Sequence, residues 1–338
     1  MRIWFNKTFS TISSVLHNLR LDIAPDEICL ICTHVHAAAS AFLAADEAYL
    51  EPADISGQAY LEWCVEFCQL HNITLFWPHR EAALISKYPE LFQAIGVQVV
   101  SVASFEVLTL LNNKAYFYAD LQSSVAQAMD FIAVNTADEF DKAVAQLSAK
   151  HESLCVKPAV SVFGLGFRVL DTHIDSITQL LKGLEYCIPL QELRLGMDNT
   201  PEFATLLVME NLAGVEWSVD CAGRQGELLC AVQRKKHPTQ GYGQEIDNNL
   251  EIAGMVERLT RHYRLNGLFN IQFKAGVNGP RLLEINPRAS GGFGMACLSG
   301  ANLAQIMLCS LKGKSYRTPH IHYGRKVTEI NTPVILQA

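Results

Sequence analysis

No apolar run in this chain of 338 residues approaches the roughly 20 needed to span a bilayer. Residues 1–15 are broken by polar side chains and lack the apolar stretch of a secretory signal. No internal repeat or low-complexity tract is found. Positive charge is also short: 27 Lys and Arg stand against 34 Asp and Glu, a formal net charge of −7. Nucleic-acid affinity rests on accumulated Lys and Arg, so this balance argues against a phosphate-backbone binder and leaves room only for a local anion pocket. The expectation is a cytoplasmic protein with no membrane or nucleic-acid partner. Hydrophobic residues at 49% and charged ones at 18% give the balance of a globular protein, long enough for two or three domains.

Ten cysteines are present. Cys29 and Cys32 have CxxC spacing, and Cys64 and Cys68 lie four apart, so a zinc site can be drawn from these four or with His34 and His36. However, Cys29 and Cys32 fall in an apolar run, and Cys64 and Cys68 share a helical face with Leu61 and Phe67. Reduced core thiols are the expectation, and without a secretory context a disulfide framework is not.

The first hundred residues alternate short apolar runs with helical patterns. Strands are expected over residues 2–5, 28–32, 73–77 and 97–102, with an amphipathic helix over 60–70. Strands separated by helices imply βαβ units and a parallel sheet. No GxGxxG follows the first strand, so this layer is Rossmann-like without the usual cofactor signal. His34, His36 and His79 fall near strand ends, where ligands often bind in such sheets; core or surface histidine is the plainer reading of each. After about residue 113 the pattern changes. Thr136 and Glu139 form a capping box ahead of a face of Phe140, Val144 and Leu147. Strands are expected over 154–156, 202–209, 215–220 and 228–232, a helix over 248–262, and a last helix capped by Asn302.

Two further strands, 268–274 and 282–286, carry the chemistry. Alternation sends Phe269, Ile271 and Phe273 to one face and Asn270, Gln272 and Lys274 to the other. In the second strand Leu283 and Ile285 oppose Glu284 and Asn286. Residues 276–279 read as a turn. If the hairpin is symmetric about Asn278, Gln272 pairs with Glu284 and Asn270 with Asn286, bringing oxygen-bearing groups to one face. Mg²⁺ takes such ligands, usually one or two carboxylates plus phosphate oxygens and water. Arg288, just beyond Pro287, offers a donor fork for phosphate. Alternation alone favours an ordinary solvated hairpin face.

Residues 267–292, with Asn270-Ile-Gln272, then Glu284-Ile-Asn-Pro-Arg288 and Gly291-Gly292, resemble the catalytic subdomain of ATP-grasp enzymes, above all the carbamoyl-phosphate-synthetase-like carboxylate–amine ligases. The resemblance covers about residues 110–312 by motif. It implies an α/β chain with an α+β C-terminal part: a Rossmann-like pre-ATP-grasp domain (1–112), an ATP-grasp lid and central subdomain (113–212), and a catalytic subdomain with C-terminal tail (213–338). It further implies that Gln272, Glu284 and Asn286 bind magnesium and that Arg288 meets the transferred phosphate, with Asn270 structural. Lys157, ahead of Gly164 and Gly166, is in place for the phosphate lid; a buried turn would explain this stretch too. Lys114 matches a second phosphate lysine, although Asn113 stands where Asp is common and an exposed helix lysine is the alternative. Met209, Glu210 and Leu212 fall at the adenine hinge. Glu216 is placed for the ribose, against the alternative of a plain half-buried strand. Arg234 opens the most basic run, before a loop at Gly241–Gly243, and is either a substrate or phosphate contact or part of a solvated face. Backbone amides of the loop 289–294 could approach a substrate carboxylate.

The function so implied is an ATP- and Mg²⁺-dependent ligase, with two metal ions and Mn²⁺ as an alternative, that activates a small-molecule carboxylate as an acyl phosphate for attack by an amine. A homodimer is the expected assembly. The alternatives are an ATP-grasp phosphotransferase acting on a hydroxyl, and a nucleotide-binding regulatory protein without turnover.

Overall fold

A computed structural model describes the chain except residues 8, 10, 22, 25, 162–163, 238–242, 331 and 336–338. It divides into two compact units. One comprises residues 1–109, 215–273 and 284–338, the other 110–214 and 274–283. Among the described residues, no helix is long and apolar enough to cross a membrane.

The first unit begins with a parallel sheet of β1 (Arg2–Phe5), β2 (Cys29–His34), β3 (Glu47–Leu50), β4 (Leu75–Trp77) and β5 (Gln98–Val99), in the order β3-β2-β1-β4-β5. Its central strands are apolar on both faces, as a doubly covered parallel sheet requires. Ile3, Phe5, Leu30, Cys32, Leu75 and Trp77 face one core, with the helix Ile12–Arg20. Trp4, Ile31 and Phe76 face the other, with the helix Gly57–Leu70. That helix presents Tyr60, Leu61, Cys64, Phe67 and Cys68 at helical spacing. Burial pushes the thiols of Cys64 and Cys68 up and that of Cys32 to about 12. All ten cysteines are free. The last expected strand shrinks to Gln98–Val99. β3, not expected, is an edge strand of alternating exposure, fixed by Glu47 pairing with both terminal nitrogens of Arg2 at 2.8 and 2.6 Å.

The second unit holds β6 (Phe131–Val134), β7 (Leu154–Pro158), β8 (Arg168–Asp171), β9 (Cys187–Pro189) and β10 (Leu206–Glu210), in the order β6-β10-β7-β8-β9. Among the described residues only the β8–β9 pairing of this sheet is parallel. The helix Ala137–Ser148 covers this sheet with Phe140, Ala143 and Leu147. Thr136 caps it by accepting from the Glu139 amide, and the Glu139 carboxylate accepts from Asn135 N–H.

The chain then returns to the first unit as β11 (Glu216–Arg224), β12 (Glu227–Lys236), β13 (Gln244–Asp247), β14 (Gly267–Gly276), β15 (Gly279–Asn286) and β16 (Lys326–Val327), in the order β15-β14-β11-β12-β13-β16. The hairpin tip, 274–283, belongs to the second unit. One face of this sheet carries the helix Leu250–His262. Gln233 in β12 bonds both ways with the backbone of Asn249, the residue that caps that helix. The opposite face is apolar at one end, where Ala222, Cys230, Val232 and Leu268 join a core with Phe293, Met295 and Met307. At its other end it is polar.

Trp4 is fully buried, stacks on Phe76 at 4.0 Å and donates to Thr33 Oγ1 at 3.1 Å. Trp4→Ala is expected to cost about 3–5 kcal/mol of unfolding free energy, read from denaturant midpoints; a loss under about 1 kcal/mol would mean that the sheet does not rest on this contact.

Candidate active site

In β14 the residues Phe269, Ile271 and Phe273 are buried, leaving the polar set on the other face. Asn270 is wholly buried there. Its amide nitrogen donates to Ser218 Oγ (3.0 Å), Val219 O (3.0 Å) and Asp220 Oδ1 (3.2 Å) of β11, which makes it a bolt between strands. Its Oδ1 is buried without a hydrogen-bond partner among the described residues. Gln272, two residues on, shares that face and is half-buried. In β15, Glu284 and Asn286 are half-buried on either side of buried Ile285. Asn286 Nδ2 donates to Glu284 Oε1 at 2.9 Å, which places both side chains on one face and turns the amide's acceptor end away from the carboxylate.

Beside this face lies a polar cluster. Arg234 is 1% exposed. Its Nε and Nη2 donate to Asp220 Oδ2 at 2.9 and 2.7 Å, Nη2 also reaches Ser218 Oγ (3.0 Å) and Ser290 Oγ (2.8 Å), and Nη1 donates to Gln244. Ser290 Oγ in turn accepts from Gly292 N–H at 3.1 Å. A Cβ at Gly292 would lie 2.6 Å from the guanidinium carbon, so only glycine lets the loop sit on Arg234. The structure thus places Arg234 as a buried strut beneath residues 290–292, not on a solvated face. Residues 241–242 of the neighbouring glycine loop lie outside the described residues. Glu216 opens β11 on the same face and pairs with Lys236. Arg288 is half-buried with its guanidinium 4.8 Å from the Phe9 ring centre; burial lowers its pKa and Glu284 opposes that shift.

The second unit holds the remaining sequence-predicted positions. Lys114 opens the helix Lys114–Asp120, capped by Asn113, whose Oδ1 accepts from Ala115 and Tyr116. Asparagine serves there because it caps a helix as well as aspartate does. Lys114 is 8% exposed and its Nζ donates to Ser161 O at 2.8 Å, so it is not an exposed helix lysine. Lys157, near the end of β7, donates to Tyr118 Oη at 3.0 Å and lies 5.2 Å from that ring's centre. Tyr118 was not anticipated; nothing in its local sequence marks it. Gly164 and Gly166 have φ of +68° and +80°, and a Cβ at Gly166 would lie 2.6 Å from the Pro158 ring. Residues 162–163 between Lys157 and these glycines are outside the described residues. Met209 and Leu212 are buried, and Glu210 is half-buried with its carboxylate 3.5 Å from His151 Nδ1.

Residues 202–333 match the sequence profile of a family described as ATP-grasp in the biosynthetic pathway with Ter operon. The fold is that of the ATP-grasp proteins. It superposes on N5-carboxyaminoimidazole synthetase from Staphylococcus aureus, solved with ADP, with a TM-score of 0.63 and 14% identity over 95% of this chain and 80% of that one. The biotin carboxylase domain of the Hydrogenobacter thermophilus 2-oxoglutarate carboxylase, a dimer solved with MgADP, ADP and bicarbonate, gives a TM-score of 0.63 and 12% identity over 95% and 72%. L-amino acid ligase from Bacillus licheniformis gives 0.58 and 15% over 91% and 73%. No curated protein matches by sequence. Glu284, Asn286 and Arg288 lie inside the matched segment, as do β14 and β15.

Removing one partner of a buried ion pair leaves the other charge uncompensated. Arg234→Met is therefore expected to cost about 3–5 kcal/mol in denaturant unfolding, and pairing it with Asp220→Leu to recover most of that loss. Unchanged stability in the single variant would contradict the strut.

Proposed function

We propose that this protein is an ATP- and magnesium-dependent carboxylate–amine ligase. The observation that carries the proposal is the bonded Glu284–Asn286 pair on the polar face of the catalytic hairpin. One carboxylate and two amides, with Gln272 as the third member, form a hard-oxygen donor set of low charge. Such a set suits Mg²⁺ arriving with nucleotide phosphates better than a tightly held resident ion. Asn270 Oδ1, buried on the same strand face as Gln272 with no partner among the described residues, adds acceptor character there. Two ions would be shared by these ligands and the phosphate oxygens, with Mn²⁺ able to substitute.

When bound, magnesium would supply positive charge to the phosphate oxygens and hold them in line for transfer. The chain's residues do the rest. At the hinge Met209 to Leu212 the amides of Glu210 and Asn211 already donate to Asp130 O and Ser153 O, so the adenine would meet other groups of that hinge, and Glu216 offers its carboxylate to the ribose. Lys157 and Lys114 counter phosphate charge, Lys157 steadied by Tyr118. The amides around Gly164 and Gly166 close over the phosphates and exclude water. A substrate carboxylate oxygen attacks the γ-phosphorus, the bond to ADP breaks, and Arg288 offsets the charge developing on the transferred group. The acyl phosphate's carbonyl carbon is then attacked by the amine, phosphate leaves, and the amine gives up a proton. Arg234 acts as a positioning residue, holding the 289–294 loop whose amides approach the carboxylate. The domain division 1–112, 113–212 and 213–338, and assembly as a homodimer, go with this proposal. C–N bond formation also suits the biosynthetic setting in the matched family's description.

Glu284→Ala and Lys157→Ala are each expected to slow substrate-stimulated ADP release by about 10²–10³ with cooperative unfolding retained. Wild-type turnover in either variant would remove that residue from the site. Product analysis separates the chemistry: ADP, free phosphate and a new amide are expected, whereas a stable phosphate ester would point to transfer to a hydroxyl, and no turnover with any carboxylate–amine pair to a regulatory role.

A further inference from the structure

The helix Lys114–Asp120 carries Lys114 and Tyr118 four residues apart, which puts both side chains on one face. They are 8% and 5% exposed. At the head of the helix the Lys114 amide donates to Ala159 O at 2.9 Å, and its Nζ donates to Ser161 O. One turn later the Tyr118 ring lies 5.6 Å from Phe117 and 5.4 Å from Phe131, centre to centre. Phenylalanine would serve that packing equally well. The hydroxyl does something more.

Tyr118 Oη accepts from Lys157 Nζ at 3.0 Å and donates to Leu283 O. A phenol has one proton to give and lone pairs to accept with, so both bonds stand at once. The Leu283 carbonyl belongs to the peptide group whose nitrogen is that of Glu284. Peptide groups are planar, so a bond to this oxygen fixes the plane from which Glu284 starts. The backbone just before it is pinned as well. Leu282 N–H donates to Gln127 O at 2.7 Å, Ala128 forms a parallel bridge with Leu282, and Arg281 donates to Gln127 Oε1. Residues 281–283 are thus anchored to the chain around Tyr118, all within the second unit.

The two bonds of the hydroxyl support each other. The Lys157 ammonium draws electron density from the phenol oxygen, which makes its O–H a stronger donor to Leu283 O. The ammonium also lies 5.2 Å from the ring centre, where the negative face of the ring favours a cation. A change at Lys157 is therefore felt at the peptide group ahead of Glu284.

We propose that Tyr118 is a positioning residue of the ligase site, whose hydroxyl holds Lys157 and the backbone that carries Glu284 in one frame. What Lys157 and Glu284 meet, a phosphate and its magnesium ion, rests on the ligase proposal; the linkage between them does not. Tyr118 itself touches neither nucleotide nor substrate in this scheme. It acts through the groups it holds, and a misplacement of about 1 Å in such groups can cost on the order of 10²-fold in rate.

Tyr118→Phe keeps the ring and removes the hydroxyl. In the full chain it is expected to lower kcat for substrate-stimulated ADP release about 10–10²-fold, while KM for ATP changes by less than about threefold and unfolding stays cooperative. Combined with Lys157→Ala, the loss is expected to be smaller than the product of the two single losses, because both changes break one linkage. A second readout needs no turnover. In the nucleotide-free protein, Lys157→Met is expected to move the Glu284 amide resonance in NMR spectra, and to move it much less when Tyr118 is already Phe. Wild-type kcat in Tyr118→Phe, multiplicative losses in the double variant, or an unmoved Glu284 resonance in Lys157→Met would overturn the proposal. If Tyr118→Phe does not fold, Lys157→Met alone decides. No ADP release by wild type with any carboxylate–amine pair would overturn the ligase proposal instead, with the resonance still deciding the linkage.

Discussion

Asp220 and Arg234 form an ion pair out of reach of water, and such a pair stands only where every remaining donor and acceptor is met. Here the guanidinium is shared among Asp220, Ser218, Ser290 and Gln244, and the Asp220 carboxylate also accepts from Asn270. Five segments are thereby tied at one point: β11, β12, β13, β14 and the loop after β15. β14, which carries Gln272, and the loop that follows Glu284 and Asn286 in β15 both join that knot. A metal or phosphate contact is useful only if its ligands hold position to a fraction of an ångström, and the buried pair provides the stiffness for it.

Charge in the second unit is arranged differently. There Lys114 donates to Ser161 O and Lys157 to Tyr118 Oη. In the first unit Arg234 is answered in full by Asp220, and Glu216 by Lys236.

The hairpin was legible because its two signals are local: alternation over a few residues, and a motif with no gap from Glu284 to Arg288. The caps at Thr136 and Asn302 were legible for the same reason; each bonds an amide three residues on. What could not be read depended on partners far along the chain. The solvated-face alternative for Arg234 stayed open because Asp220 lies on another strand, and the exposed-lysine alternative for Lys114 because Ser161 is 47 residues away. Tyr118 and β3 left no local mark: a lone aromatic in a helix and a four-residue edge strand resemble many others. The ATP-grasp resemblance identified the fold, while the buried polar knot came only from the coordinates.

The central claim is that Glu284 meets a metal carried by ATP. ATP affinity measured with and without Mg²⁺, in wild type and in Glu284→Gln, tests it most directly. The account predicts that Mg²⁺ tightens ATP binding in wild type and that Glu284→Gln loses most of this gain while keeping its metal-free affinity. A variant that retains the whole magnesium-dependent gain would contradict it.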